Sequence, residues 1–595
     1  MSFKFSKLYH AVAIALSLGL QGCGGSGDGA SPSVRVNPSS LVMRTDDVNA
    51  EAATRFDAAT TSADGTPIAF TVYAPSIAKG NSAPLVITGP GWGNERIKNL
   101  DTAAEDTLEL VQQGAKLALA EGPQGGAQPT QGWYVIAFDQ RGFGQSGGVA
   151  NIQDPAIEGK DIQAIIDWAE KNLTRLSYRK TADGRLDPVV GTLGGSYGGG
   201  FQTIGAGVDK RIDAMVPAVT WYNLSTTLFD KPKSLWGALL FTDKASPFVQ
   251  QALGEALSVG KVNDAALTEL YQHSPASYCE GKSTRMTRPN IPSFVIQGAG
   301  DTLFNLTEGI NNFECLRKAN PNSKFLGIRA WHTYDALIPT APKTVQENRI
   351  SCGNNSLSVA RLQFSFLAQN LVDSRLDATN SNRYLTLPDI RVVLDDGKAL
   401  RTTGESVESG CYEVASATAQ ANGQIFKRGG SNFAAQVGGV TAGLPASLSS
   451  LIDKAPLELL TSPATVSLFA PDAGKLATLV SASSSKRTIV GIPKVSMKVA
   501  AASPTDAGAN APIVFVGLVR VRADGSREVL HDQVTPVEGF GDKSFDLPGM
   551  STSLLPGESI AAIVYGFHPR YYKVYSRTPV NVNVTDLTIS MPFIE

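Results

Sequence analysis

Two segments set a serine among glycines in the pattern G-x-S-x-G. They are Gly194-Gly195-Ser196-Tyr197-Gly198 and Gly144-Gln145-Ser146-Gly147-Gly148. Such a serine can act as a nucleophile when a strand runs into it and a helix leaves it at once. The turn strains the serine backbone, so its neighbours must lack bulk, and it sets the next N–H at a helix N-terminus. DPVVGTLG reads as the strand into Ser196, and 197–208 reads as a small-residue helix behind it. After Ser146 comes GGVANIQDP, a loop with a proline. Ser196 is therefore the predicted nucleophile. A phosphate-binding loop would need a Lys after the glycines or a Gly-x-Gly at the right spacing. Neither accompanies Ser196.

A serine hydroxyl attacks only when a histidine takes its proton and a carboxylate orients that histidine. The chain has five histidines. His10 lies in the N-terminal segment, His273 in a helical interval, and His531 and His568 in a strand-rich C-terminal part. His332 ends SKFLGIRAWH, at the rim where an open α/β sheet places its ligand site. It is the predicted base. Asp301 closes IPSFVIQGAGD and falls between Ser196 and His332, the order this type of elbow requires. Asp335 is the rival acid, but three residues from His332 it suits a local loop bond. The oxyanion of an acyl-transfer intermediate needs two donors. The Tyr197 backbone N–H is one. The loop in PLVITGPGWGNE supplies the other through Gly91 or Trp92, unless the loop is a simple Pro-Gly turn.

Positioning these residues calls for a parallel sheet. From about 66 to 372, apolar runs (PIAFTVYAP, APLVITGPG, GWYVIAFD, DPVVGTLG, IDAMVPAVTW, IPSFVIQGAG, SKFLGIRAW) alternate with helix patterns at about 101–121, 157–173, 197–208 and 307–319. Several runs are apolar throughout, as strands buried on both faces are. The alternation predicts an α/β, doubly wound sheet over 56–375. Residues 222–289 break the rhythm and read as a helical cap. After about 380, short Val-rich runs with turn signals, ADGS at 523–526 among them, predict an all-β sandwich or jelly roll over 383–595.

A length of 595 residues exceeds one hydrophobic core. A net charge of −2, with Lys and Arg spread along the chain, argues against a nucleic-acid partner. The N-terminus has the parts of an export signal: Lys4 and Lys7, the apolar run AVAIALSLGL, then LQGC ending at Cys23. LQGC is similar to the lipobox of bacterial lipoproteins, which implies lipidation of Cys23. Residues 1–23 then form the signal and 24–55 a flexible tether. The expected setting is periplasmic or cell-surface, with the membrane met only through the lipid anchor. An exported chain can oxidise Cys279, Cys315, Cys352 and Cys411 in three pairings. Cys315–Cys352 is the pairing favoured, with four buried free thiols as the alternative. No CxxC is present, so no metal site is expected.

The segment DQRGFGQSGG (139–148) resembles the D-x-R-G-x-G-x-S stretch of many α/β-hydrolases. Together with GGSYGG, the GAGDTLF acid loop, the AWH segment and a C-terminal β domain, the chain resembles the X-Pro dipeptidyl-peptidase and cocaine-esterase-like hydrolases over about 65–595. The resemblance implies a triad of Ser196, Asp301 and His332, a helical cap, a jelly-roll domain that helps wall the site, and structural roles for Asp139 and Arg141. Where that family often carries a Tyr in the oxyanion loop, this chain has GPGWG. The expected activity is cleavage of an ester or amide of a small molecule or peptide through an acyl-enzyme, carboxylesterase-like and without a cofactor. A Xaa-Pro dipeptidyl-peptidase on the same triad is the alternative; it would need a carboxylate for the substrate amine, with Asp230 and Glu255 lying in the cap. A reading of another class is a non-catalytic binding lipoprotein with a silent hydrolase fold.

Overall fold

A computed structural model describes residues 49–102, 111, 132–230, 244–259, 262–328, 332, 349–352, 355–371, 390–393, 411–413, 424–427, 433–437, 475–480, 482–507, 512–565, 571 and 580–594. The N-terminal segment with Cys23, the helix expected at 101–121 apart from Asp101, Thr102 and Val111, as well as Asp335 and His568, lie outside them.

The N-terminal half is built on one ten-stranded sheet. Its strands are β1 (Thr54–Thr61), β2 (Pro67–Ala74), β3 (Leu85–Thr88), β4 (Tyr134–Phe138), β5 (Val190–Gly195), β6 (Ile212–Ala218), β7 (Phe294–Gly298), β8 (Lys324–Ile328), β9 (Ile390–Val393) and β10 (Cys411–Glu413). Their order is β1-β2-β4-β3-β5-β6-β7-β8-β9-β10. From β4 to β9 every pairing is parallel; β1, β2 and β10 add antiparallel edges. β3, β4 and β7 are buried along their whole length, which is why their sequences are apolar without alternation. The chain steps outward from β3 to β4 on one side and to β5 on the other. Their C-terminal ends therefore face a topological switch point.

Helices α1 (Glu158–Asn172) and α2 (Tyr197–Val208) pack against each other. Ile162, Ile165, Ile166 and Ala169 form the buried face of α1, spaced as a one-sided helix requires. Every residue of α2 from Tyr197 to Gly207 is buried. The interval 222–289 holds α3 (Pro247–Val259), α4 (Asp264–Gln272) and α5 (Pro275–Cys279). Two further helices, α6 (Leu306–Ala319) and α7 (Val359–Leu371), complete this half among the described residues.

The sheet extends past the boundary placed at 375–383. β9 and β10 join it at 390–413. They are short, and IRVV and CYE lack the long apolar runs that mark the other strands.

The C-terminal half is antiparallel. It contains β11 (Gln424–Lys427), β12 (Phe433–Val437), β13 (Lys475–Val480), β14 (Arg487–Gly491), β15 (Lys494–Ala501), β16 (Ile513–Val521), β17 (Arg527–Glu538), β18 (Gly541–Asp546), β19 (Met550–Leu554), β20 (Ser559–Tyr565) and β21 (Val580–Met591). One sheet runs β11-β21-β15-β18, with β12 also on β21, and another runs β13-β20-β16-β17. Val495, Val499, Val582 and Ile589 of the first share a core with Val516, Leu518, Ile560 and Val564 of the second. The two sheets thus pack face to face as a sandwich. β16 and β17 meet at the ADGS turn, where Gly525 has φ 81°.

Candidate active site

Ser196 stands between β5 and α2 with φ 57° and ψ −122°. That is left-handed backbone in a residue with a side chain, and such strain collects at functional turns. The surrounding glycines permit close approach. A Cβ on Gly198 would lie 2.2 Å from the Gly89 carbonyl oxygen, and one on Gly200 would lie 2.1 Å from the Trp221 ring. The turn therefore presses onto β3 and the chain after β6. The Ser196 carbonyl accepts from the Gly199 and Gly200 N–H groups. The Tyr197 N–H lies in the first helical turn, where N–H groups have no intrahelical acceptor.

Ser196 Oγ lies 2.9 Å from His332 Nε2, and His332 Nδ1 lies 2.8 Å from Asp301 Oδ2. His332 follows β8 and Asp301 follows β7, so three parallel strands deliver the three side chains to one rim. Asp301 is fully buried and His332 nearly so. The Asp301 carboxylate also accepts from the Leu303 and Phe304 N–H groups, each at 2.9 Å, and from Gln297 Nε2 at 3.3 Å. The Phe304 ring meets the His332 ring edge-on at 5.4 Å. A chain of hydroxyl, imidazole and buried carboxylate can transfer a proton from the serine as it attacks a carbonyl.

The loop after β3 closes the other side. A Cβ on Gly91 would stand 3.8 Å from Ser196 Cβ, so the Gly91 backbone borders Ser196. Trp92 packs edge-on against Tyr197 at 4.9 Å and Phe143 at 5.0 Å. Its buried indole N–H has no partner among the described residues. The loop is held by a series of amides that no motif announces. Gln140 Nε2 donates to the Pro90 carbonyl at 2.5 Å, and Gln153 Nε2 donates to Gln140 Oε1 at 2.5 Å. The Gln153 N–H in turn reaches the Tyr197 hydroxyl at 3.4 Å. Burial, reinforced by the nearby Glu158 charge, pushes the Tyr197 phenol well above its ordinary value, so the hydroxyl stays neutral.

The other serine motif has a different place. Ser146 Oγ donates to the Asp139 carbonyl at 2.6 Å and accepts from the Ala69 N–H at 2.9 Å. Asp139 accepts from the N–H groups of Arg96 and Gln145 and pairs with the Arg96 guanidinium. Arg141 bridges Asp161 at 2.6 Å and Asp64 at 2.7 Å. These residues brace the loop beneath the site.

His273, in the cap, is almost fully buried, 3.4 Å from Glu269 and 3.7 Å from Asp154. The three could hold a cation by spacing. Arg285 already lies across both carboxylates, however, on Glu269 and 3.5 Å from Asp154. The group is an ion-pair network that pins α4 to the loop before α1. His531 lies in the sandwich, away from the triad.

The cysteines correct the pairing favoured from sequence. Cys279 is bonded to Cys315, with Cα atoms 5.7 Å apart; Cys315 is not paired with Cys352. α5 packs on α6 and brings the two together. Cys352 instead lies in a separate hairpin strand, Arg349–Cys352.

Residues 64–334 match the model of the X-Pro dipeptidyl-peptidase (S15 family). This stretch is similar to that family over somewhat less than half of the chain, and the likeness supports a serine hydrolase of esterase or peptidase type. Two curated relatives from Escherichia coli, both described as an uncharacterized 31.7 kDa protein in the traX-finO intergenic region, are 35% and 34% identical over 85 residues. That is 14% of this chain and only 26% of the relatives' own length. The whole fold is similar to several solved structures. An aminopeptidase from a marine sediment Thaumarchaeota archaeon is 12% identical, with a TM-score of 0.59 over 96% of this chain and 99% of that one. An α-amino acid ester hydrolase is 14% identical, with a TM-score of 0.56 over 95% and 100%. A CocE/NonD family hydrolase from Staphylococcus aureus is 12% identical, with a TM-score of 0.56 over 91% and 94%. The arrangement of an α/β half followed by a β-rich half thus recurs in other solved structures.

Proposed function

We propose that this protein is an exported, lipid-anchored carboxylesterase-like hydrolase that works through an acyl-enzyme. The observation that carries the reading is the unbroken contact from Ser196 Oγ through His332 to Asp301, with the serine on a strained strand-to-helix turn. Ser196 attacks the carbonyl while His332 Nε2 takes its proton. The Tyr197 N–H and the Gly91–Trp92 loop hold the oxyanion. The imidazolium then protonates the leaving group. Water, deprotonated by the same imidazole, attacks the acyl-enzyme and frees the acid and Ser196. Asp301 keeps His332 in the tautomer that presents Nε2 to the serine.

The S15 match also supports a Xaa-Pro dipeptidyl-peptidase on the same triad. That activity calls for a carboxylate facing the substrate amine. Glu255 bonds Asn263 inside the cap at 2.7 Å, and the Asp230 side chain lies outside the described residues. The ester reading needs no such anchor. Export is supported by the N-terminal signal pattern and by the Cys279–Cys315 bond, which persists in oxidising compartments.

A fluorophosphonate probe tests the chemistry. It should label the wild type and not Ser196→Ala, and ester hydrolysis should fall by about 10⁴-fold or more in that variant. Folded wild-type protein that takes no label would sink the reading and leave the silent-fold binding protein. Rates on short nitrophenyl esters against Xaa-Pro-nitroanilides then separate esterase from peptidase.

A further inference from the structure

We infer that Gln533, on the C-terminal sandwich, is a positioning residue for the catalytic acid. The inference rests on the triad reading above.

Its Nε2 donates to two backbone carbonyls of the acid loop, those of Ala299 and Asp301, each at 3.1 Å. A side-chain amide has two N–H donors on that nitrogen, and both are spent here. The two carbonyls bracket the turn that carries the Asp301 carboxylate. Gln533, Ala299 and Asp301 are all buried, so water is poorly placed to replace the bonds.

The sandwich is bent locally to make this contact. In the β16–β17 ladder, Gly517 pairs with Val534 and Val519 pairs with Val529. Leu530, His531, Asp532 and Gln533 therefore stand opposite Leu518 alone, a bulge larger than the usual two residues against one. His531 sits inside it at φ 52°, in the left-handed region, and its Nε2 accepts from the Ser551 N–H at 3.3 Å. Position 517 must be glycine for the bulge to close, since a Cβ there would lie 2.9 Å from the Gln533 carbonyl oxygen. Strain and a lost stretch of ladder are maintained in the strand that delivers Gln533.

The bonds within the acid loop make it rigid but do not fix where it sits. The Leu303 and Phe304 N–H groups come from the same turn as Asp301. Among its outside anchors are Gln297 from β7, the bond from the Ala299 N–H to the Ile328 carbonyl at 2.8 Å, and Gln533. Ile328 ends the strand that leads to His332. Gln533 thus sets the acid against the base from a second domain, and a shift of about 1 Å at that distance is costly to proton transfer.

Steady-state ester kinetics and the rate of fluorophosphonate labelling test this on the full chain. Gln533→Met keeps the size and removes both donors. It should lower kcat and the labelling rate together by about 10- to 100-fold, with KM within about twofold. Thr307→Val removes another interdomain bond, from the Gly549 N–H at 2.9 Å, and should leave kcat within about twofold. If Gln533→Met does not fold, Gln533→Asn keeps an amide one methylene short of the carbonyls and is read the same way. A folded Gln533 variant with wild-type kcat would overturn the inference. So would an equal loss of kcat in Thr307→Val, which would make the effect one of domain docking in general. Failure of the wild type itself to label would instead overturn the hydrolase reading.

Discussion

Behind the triad stands a set of glutamines. Gln297 and Gln533 hold the loop of Asp301, and Gln140 and Gln153 hold the loop after β3, proposed above to bind the oxyanion. Gln140 is the one through which the Tyr197 side of the site is tied to the Pro90 carbonyl, so Gln140→Leu frees the loop that carries Gly91. Removing a preorganised oxyanion wall acts on the transition state more than on binding. The variant should lose about 10- to 100-fold in kcat on a nitrophenyl ester with KM little changed. Unchanged kcat would mean that the loop is held by other bonds. The triad was legible in the sequence because its chemistry dictates residue types, their order and the elements before and after them. Ser146 shows that the G-x-S-x-G pattern without those elements marks a brace. The glutamines were not legible, because an amide has no motif and its partners lie far away in sequence, 50 residues for Gln140 to Pro90 and 234 for Gln533 to Ala299. Gln140 alone had a visible sign, as the variable position in the D-x-R-G segment.

Elements meet the site through loops whose burial has a pH-dependent cost. Glu158, at the start of α1, is fully buried and accepts from the N–H groups of Asn151 at 2.6 Å and Asp154 at 2.9 Å. It thereby shapes the loop in which Ile152 and Gln153 adopt φ 56° and 57°. Burial pushes its carboxyl from an ordinary 4.5 up to about 8. Between those values the unfolded chain releases the proton and the folded chain keeps it. Stability from this group is therefore full below pH 4.5 and is lost as pH rises toward 8. Glu158→Gln removes the titration, so the drop in urea midpoint from pH 5 to pH 8 should be smaller than in wild type. Equal drops would show that Glu158 is ionised in the fold throughout this range. Most elements of this half were readable because strands buried on both faces and one-sided helices leave strong patterns. β9 and β10 were not, since strands of three or four residues at the end of a sheet leave too little pattern to tell from loop. The disulfide was misassigned for a related reason: sequence distance says little about which helices pack, and α5 on α6 decided the partner.

At the scale of the whole molecule, the two halves share more than the Gln533 clasp. Val490, at the end of β14, and Ile492, just past it, belong to the same buried cluster as Leu306, Ile310 and Phe313 of α6 and the interior of the large sheet. The α/β and all-β characters of the halves were legible, but periodicity within each gives no information on the surface between them. A continuous core couples the stabilities of the parts it joins. All six tryptophans precede residue 332, so intrinsic tryptophan fluorescence reports on the N-terminal half alone. Ile492→Ala, made in the sandwich half, should cost about 2–4 kcal/mol and lower the melting midpoint seen by tryptophan fluorescence as much as that seen by far-ultraviolet circular dichroism. A fluorescence midpoint that stays at the wild-type value while the dichroism midpoint falls would mean that the halves unfold separately. The acid loop would then have to keep its place without the sandwich, and activity should survive temperatures at which the sandwich has melted. Coincident midpoints with activity lost in the same interval are the expected result, because one buried cluster runs from the large sheet into the sandwich.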